Sequence, residues 1–293
     1  MKRARLKLSI LLITYNQENY IGKCLEGIGI QQCDFDYNIV VADDASTDGT
    51  LAGIKSFSSG MDEKFVFMDS HKNIGYIKNY QRAFAACQGE YIAIIEGDDY
   101  WTDPHRLQKH VDFLDNHREC SFSFNRIIFF NEDKFDFSVR PWTKTEHYEY
   151  FTASQIAACN HIGNLSACVF RKNLIDTLPE EVYEFNTLTD WFLGVYMGQF
   201  GLVAELKRAM SVYRIHGSGV WAGQNAKKQL EQIRQNIPVY NRFFDFKFDK
   251  EYKKRDGELR DIIENRKKRR PKDFLPPFIL SVAKWLIPPV FYQ

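Results

Sequence analysis

Tyr91-Ile92-Ala93-Ile94-Ile95 runs without interruption into Glu96-Gly97-Asp98-Asp99-Tyr100-Trp101, and this junction constrains the chain more than any other stretch. An unbroken apolar run that follows a glycine and is rich in isoleucine predicts a strand buried on both faces. Such strands belong to parallel sheets covered by helices. The carboxyl end of this one therefore delivers Asp98 and Asp99 to the edge where open α/β sheets bind ligands. Two adjacent carboxylates repel each other unless a cation lies between them. The pair thus predicts a site for a hard divalent ion, whose open coordination positions suit diphosphate oxygens. The competing reading is an Asp-Asp turn that opens the next helix. Asp103-Pro104 weakens it, because an Asp N-cap with Pro in the first helical position already starts the helix that carries Leu107, Val111 and Leu114.

Upstream of the junction, strand-like and helix-like patterns alternate. Residues 8–15 and 37–42 predict strands, 65–68 a third, and 20–31 a helix. Ile77, Tyr80, Phe84 and Cys87 recur at three and four residues, marking one face of a helix that Gly89 is expected to end. This order predicts an α/β fold with a mostly parallel central sheet and helices on both faces. Gly27-Ile28-Gly29 falls late in a helical pattern and lacks a third glycine, so it opens no dinucleotide site.

With 44% hydrophobic and 15% aromatic residues among 293, the chain buries a large core, which excludes a disordered protein. A formal net charge of +1 gives no global field toward nucleic acid, and no nucleic-acid partner is expected. The six cysteines lack the short paired spacings of zinc sites or disulfide frameworks, which makes a reducing cytosol the expected compartment. Met1-Lys2-Arg3-Ala4-Arg5 and the apolar stretch after it imitate a signal peptide, but Thr14-Tyr15-Asn16-Gln17 offers no small-residue cleavage site, and the stretch is read as the first strand.

A second acidic cluster, Asp43-Asp44-Ala45-Ser46-Thr47-Asp48-Gly49, also follows a strand. Turn and cap chemistry accounts for Ser46 to Gly49. Asp43 and Asp44 precede the turn, where a carboxylate can accept the N–H edge of a nucleobase. Thr14-Tyr15-Asn16 forms the neighbouring wall.

Taken together and in order, Thr14-Tyr15-Asn16, Asp43-Asp44-Ala45-Ser46-Thr47-Asp48, Asn73-Ile74-Gly75 and Glu96-Gly97-Asp98-Asp99 resemble the family 2 glycosyltransferases of the GT-A fold over about the first 220 residues. Two positions depart from the family pattern: Thr14 stands where Pro is common, and Lys78-Asn79 follows Gly75 sooner than the usual Ala-Arg-Asn. The resemblance implies an inverting transfer of sugar from a nucleotide diphosphate donor, with Mn²⁺ or Mg²⁺. It implies that Asp44 contacts the nucleobase, that Asp43 lies near the ribose, and that Asp98 and Asp99 serve the ribose and the metal–diphosphate end. Thr14, Tyr15, Asn16, Gly75 and Lys78 complete the expected nucleotide site, and Asp99 and His216 are the expected metal ligands.

An inverting displacement needs a base opposite the leaving diphosphate. Asp190 in Leu188-Thr189-Asp190-Trp191-Phe192 matches the family's catalytic position, with Thr189 where Glu is frequent; by itself it reads equally well as a helix N-cap. His216 and Arg214 close a short strand beginning at Ser211, and by resemblance Arg214 is a diphosphate clamp. His161 and Trp191 are expected on the acceptor side, with Asn164 near them.

Residues 225–269 are helix-like and strongly charged and end in a basic run, 266–272, followed by a proline-interrupted aromatic tail, 274–292. Two coincident signals favour an interfacial anchor on an anionic membrane surface over packing on the catalytic domain. The expected organisation is a GT-A domain over 1–222, with a nucleotide-sugar half (1–100) and an acceptor half (101–222), and a helical extension over 223–293. The expected protein is cytoplasmic, peripheral at the inner face of the membrane, and extends a lipid-linked or lipopolysaccharide-type glycan. A metal-dependent nucleotidyl or phosphoryl transferase and a non-catalytic sugar-binding module are the alternatives; the chain lacks a Gly-rich, Lys-containing phosphate loop.

Overall fold

The computed structural model describes residues 6–139, 147–184, 188–219, 221 and 224–265. In chain order its elements begin β1 (Leu8–Thr14), α1 (Ile21–Gly29), β2 (Tyr37–Asp43), α2 (Thr50–Ser58), β3 (Phe65–Phe67), α3 (Tyr76–Ala86), β4 (Tyr91–Glu96) and β5 (Tyr100–Trp101). After them come α4 (Arg106–Asn116), β6 (Cys120–Asn131), β7 (Asp136–Val139), β8 (Tyr148–Phe151), α5 (Ala153–Ala158), β9 (Cys168–Arg171) and α6 (Lys172–Ile175). The described chain closes with α7 (Asp190–Met197), β10 (Leu202–Ile215), α8 (Ala226–Phe243) and α9 (Asp249–Asn265).

One sheet organises the molecule, in the order β3-β2-β1-β4-β9-β6-β10-β5, with β7 on β6 and β8 on β10. The first four strands are parallel, as the sequence predicts. Antiparallel β9 then separates them from β6 and β10, which run parallel to each other. The apolar strands alternate between two cores, as a two-residue side-chain period requires. Leu8, Ile10 and Leu12 pack with α1, α2 and α4, whereas Leu11 and Ile13 pack with α3, α5 and α7. Leu230, Tyr240 and Phe244 of α8 and Tyr252 and Leu259 of α9 belong to this second core.

Two punctuation marks serve other purposes than the sequence suggests. α3 already ends at Ala86, and Gly89 is required because a Cβ there would lie 2.4 Å from the backbone of Leu8 and Ser9. α4 begins at Arg106 rather than Pro104, with Asp103 Oδ1 accepting the His105 N–H. The Asp98-Asp99 pair is still not used as that helix cap.

β10 matters most for the site. The sequence suggests a short strand from Ser211, yet the strand starts at Leu202 and shifts register against β6 between Leu206 and Ser211. Beyond that irregularity it pairs with β5, directly after Asp99. Its end therefore lies across the acidic loop.

Candidate active site

β1, β2 and β4 end in register, with Thr14 opposite Asp43 and Ile13 opposite Glu96, so the loops that leave them share one sheet edge. The first two loops are knitted together by side chains. Asn16 Oδ1 accepts the Thr47 N–H, the Asn16 N–H is donated to Ser46 Oγ, and the Asp44 N–H is donated to the Thr14 carbonyl. Asn16 and Ala45 adopt left-handed backbone at φ 51° and 60°. Such conformations cost free energy in non-glycine residues and persist where surrounding contacts over-determine them. Asp43 accepts the N–H and hydroxyl of Ser46. Buried Asp44 accepts the N–H groups of Ile74 and Gly75, which ties the 73–75 turn to β2. Gly75 stands at φ 85°, where a side chain is strained. Thr14, Tyr15, Asn16, Asp43, Asp44 and Gly75 thus share one rim, with Tyr15 exposed on it. Lys78 is engaged differently from expectation: its ammonium pairs with Glu184 at 2.6 Å on the surface.

The second half of the site is the β4–β5 loop with the end of β10 laid over it. Asp99, expected as an open edge carboxylate, is 1% exposed. Its Oδ1 accepts the Arg214 N–H at 3.1 Å, and its Oδ2 accepts the Asn164 amide at 2.9 Å and the Ser166 hydroxyl at 2.6 Å. Both oxygens are committed to the protein. Burial, then the Asp98 and Glu96 charges, push this carboxyl well above its ordinary range, against the pull of the Ser166 and Arg214 hydrogen bonds. Asp98 is the open member of the pair, with its side chain 23% exposed and Oδ2 3.2 Å from His216 Nε2. His216 Nδ1 meets Ser218 Oγ at 2.8 Å, and its ring lies 4.3 Å from that of Tyr20. Arg214 donates from Nε to the Asp98 carbonyl, pairs with Glu132, and sits against the rings of Tyr20, Tyr100 and Phe130.

Glu96 and Asp190 complete the acidic cluster. Glu96 accepts the Tyr80 hydroxyl at 3.0 Å and is pushed up to about 7, by burial first, then by the charges of Asp98 and Asp190. Asp190 is close enough to be felt there. The N-cap of α7 is Thr189, whose Oγ1 accepts the Phe192 N–H, so Asp190 is free of that duty and instead accepts the Asn160 amide at 2.8 Å. Burial holds its carboxyl above the ordinary range.

Of the two acceptor-side expectations, Trp191 lies in the core. It is 5% exposed, donates its indole N–H to the Ile156 carbonyl, and packs on Tyr240 and Tyr252, because α7 is apolar all round and lies in the core. His161 stacks on Phe151 at 4.3 Å. Glu96, Tyr20, Asn160 and Ser166 join the site without a role having been assigned to them from the sequence. Asn164 and Ser166, two residues apart at the start of a 3₁₀ turn, both donate to Asp99 Oδ2.

Comparison with known proteins decides the family. The model of glycosyl transferase family 2 matches residues 9–178, more than half of the chain. The chain belongs to family 2 of the glycosyl transferases. An uncharacterized Mycobacterium tuberculosis protein is 35% identical over 217 residues, 73% of this chain and 60% of that protein. Putative glycosyltransferase EpsE of Bacillus subtilis is 29% identical over 126 residues, 43% of this chain and 45% of EpsE. This chain thus spans less than two thirds of those relatives. S. aureus TarS 1-349 in complex with UDP-GlcNAc shares the fold, with TM-score 0.61 and 20% identity over 92% of this chain and 75% of that one. The mannosyltransferase PcManGT of Pyrobaculum calidifontis, in complex with GDP-Man and Mn2+, gives TM-score 0.58 and 16% identity over 82% of this chain and 65% of its own. The match to family 2 stops before Asp190, Arg214 and His216, so their place in this site rests on the fold of the chain itself.

Among the described residues no cluster of three or more His, Cys, Asp or Glu side chains forms a complete metal cage. Asp98 and His216 do supply one carboxylate oxygen and one imidazole nitrogen 3.2 Å apart at the mouth of the acidic loop. That donor set suits a borderline-hard divalent ion whose remaining positions come from a ligand.

Proposed function

We propose that this family 2 chain is an inverting glycosyltransferase that moves a sugar from a nucleotide diphosphate donor to a hydroxyl of a glycan acceptor, lipid-linked or of lipopolysaccharide or capsule type. One observation carries the reading. The end of β10 sets His216 against Asp98 at the sheet edge where the parallel strands stop, and Asp190 opens a helix within electrostatic reach of the same loop. The donor complexes of TarS and PcManGT support a nucleotide sugar as the ligand of such an edge.

In this reading Asp190 takes the proton of the acceptor hydroxyl as its oxygen bonds the anomeric carbon, on the face opposite the breaking bond to diphosphate. Its raised carboxyl is suited to the task, since a base works best when its pKa approaches the working pH. Asp98 and His216, rather than Asp99, would hold Mn²⁺ or Mg²⁺, and such an ion neutralises charge on a leaving diphosphate. Ser218 would accept the His216 Nδ1 proton and so leave Nε2 as the donor atom. Asp99 fixes the loop. Arg214 braces it through the Asp98 carbonyl and lends positive charge. Thr14, Tyr15, Asn16, Asp43, Asp44 and Gly75 bound the nucleotide.

The basic run and aromatic tail, 266–292, lie outside the described residues, and among those described no helix is long and apolar enough to cross a membrane. We extend the proposal to an anionic membrane surface as the partner of that tail.

Hydrolysis of UDP-GlcNAc, GDP-Man and a wider panel of nucleotide sugars, with Mn²⁺ or chelator, tests the reading. Release of nucleoside diphosphate that stops in chelator and in Asp190→Asn is expected. Release of sugar 1-phosphate instead, with transfer of the nucleoside monophosphate, would mark nucleotidyl transfer, and no turnover of any donor would leave a binding module.

A further inference from the structure

Asn160 lies in the loop after α5 and carries out two tasks with one amide. Its Oδ1 accepts the N–H groups of Ile162 at 3.1 Å and Gly163 at 3.4 Å. Gly163 stands at φ 82°, the turn conformation that lets both N–H groups converge. With the oxygen so engaged, the amide cannot flip, and its NH₂ is aimed at Asp190 Oδ2, 2.8 Å away. Asp190 itself is placed by α7, whose cap is Thr189 and whose buried Trp191 and Phe192 anchor the helix in the core. A side chain held by two backbone donors thus meets one held by a packed helix.

Resting on the reading of Asp190 as base, we propose that Asn160 is its positioning residue: it fixes the carboxylate rotamer and keeps it ionised for proton abstraction. A bare buried carboxylate would pick up a proton, because burial disfavours the charge. The facing groups make that worse. Glu96 at the end of β4 adds negative charge, and Cys168 of β9, Tyr213 of β10 and Tyr240 of α8 feel the Asp190 charge without supplying a cation. The Asn160 amide opposes this, together with the N–H groups of Trp191 and Gly163. The 160–163 turn therefore supplies two of the donors that hold Asp190 in its charged form.

Asn160→Asp separates the two tasks. It keeps an oxygen for the Ile162 and Gly163 N–H groups and replaces the donor by a second carboxyl 2.8 Å from Asp190. Carboxyl ¹³C NMR of Asp-labelled protein, with the Asp190 signal assigned through Asp190→Asn, reads the titration without any donor or acceptor. In Asn160→Ala the Asp190 midpoint moves up by about one pH unit, the size of a charge-assisted hydrogen bond. In Asn160→Asp the two carboxyls share a proton and titrate in two separated steps. The acidic limb of nucleotide-sugar hydrolysis moves up with the NMR midpoint in Asn160→Ala, while the KM for donor is unchanged. An Asp190 midpoint equal to wild type in both folded variants overturns the positioning role. A shifted NMR midpoint with an unshifted rate profile refutes Asp190 as base and takes the catalytic proposal with it, although the contact stands. Should Asn160→Ala fail to fold, the titration of the isosteric Asn160→Asp decides alone.

Discussion

Replacing Asp98 and Asp99 one at a time by Asn separates their roles more sharply than any other experiment on this chain. Asp99→Asn puts an amide NH₂ where one carboxylate oxygen was. Turned one way the NH₂ faces the Arg214 N–H, and turned the other it faces the Asn164 amide and the Ser166 hydroxyl. At least one buried donor loses its acceptor, at about 1–3 kcal/mol each. Removing the charge of a carboxylate held well above its ordinary range offsets part of that. A net loss of about 2 kcal/mol is expected, or about 4–8 °C in Tm for a chain of this size. Asp98→Asn gives up only the partly exposed pair with His216, within about 1 kcal/mol. Differential scanning fluorimetry gives the stabilities, and donor hydrolysis against Mn²⁺ concentration gives the metal response. Asp98→Asn keeps its fold and loses activation by Mn²⁺; Asp99→Asn melts early. Wild-type melting of Asp99→Asn alongside early melting of Asp98→Asn would show that the two roles are reversed.

Three further outcomes are expected from point variants and pH, and one from truncation. Asp190→Asn keeps donor affinity, read by thermal shift, while turnover drops about 10²-fold or more; lost affinity with intact turnover makes it a binding residue. Since burial raises the Asp190 carboxyl and only its ionised form accepts a proton, wild-type turnover rises with pH through a midpoint above the usual Asp range, and a midpoint near 4 contradicts this. Gly97→Ala places a Cβ 2.4 Å from Gln17 Oε1 and 2.9 Å from Thr14 Oγ1, breaking their mutual bond, so KM for the donor rises more than kcat falls; an unchanged KM sinks that link. Deleting residues 266–293 frees the protein from anionic vesicles in a salt-sensitive way but spares activity on a short soluble acceptor, and undiminished binding refutes the anchor.

The parallel half of the fold was legible because its signals are local. Isoleucine-rich runs buried on both faces give β1, β2 and β4, and the three-and-four spacing of Ile77, Tyr80 and Phe84 gives α3. The acidic ends follow from where those strands stop. The division of labour between Asp98 and Asp99 was not legible, since it depends on Asn164, Ser166 and Arg214 arriving from elsewhere in the chain. The same holds for the extent of β10, whose charged Glu205, Lys207 and Arg208 interrupt the apolar pattern. Glu205 and Lys207 are buried as partners of each other, with Arg126 on Glu205, so a polar strand interior hid a central strand. The burial of Trp191 was hidden for the opposite reason: an aromatic beside a candidate base invites a ligand role, and the unbroken apolar run after it was the stronger signal of a packed helix.

The backward reach of β10 also sets when this site can exist during synthesis. Arg214 and His216 contact Asp98 across 116 and 118 residues of sequence. At translation rates of about 5–20 residues per second, the acidic loop emerges roughly 6–23 seconds before the residues that cover it. Until then Asp98 lacks its His216 partner and Asp99 lacks the Arg214 N–H, although Asn164 and Ser166, earlier in the chain, are already there to meet Asp99. A product that stopped short of β10 would still carry residues 9–178, the whole of the segment that marks the family, but not the Arg214 and His216 contacts to Asp98.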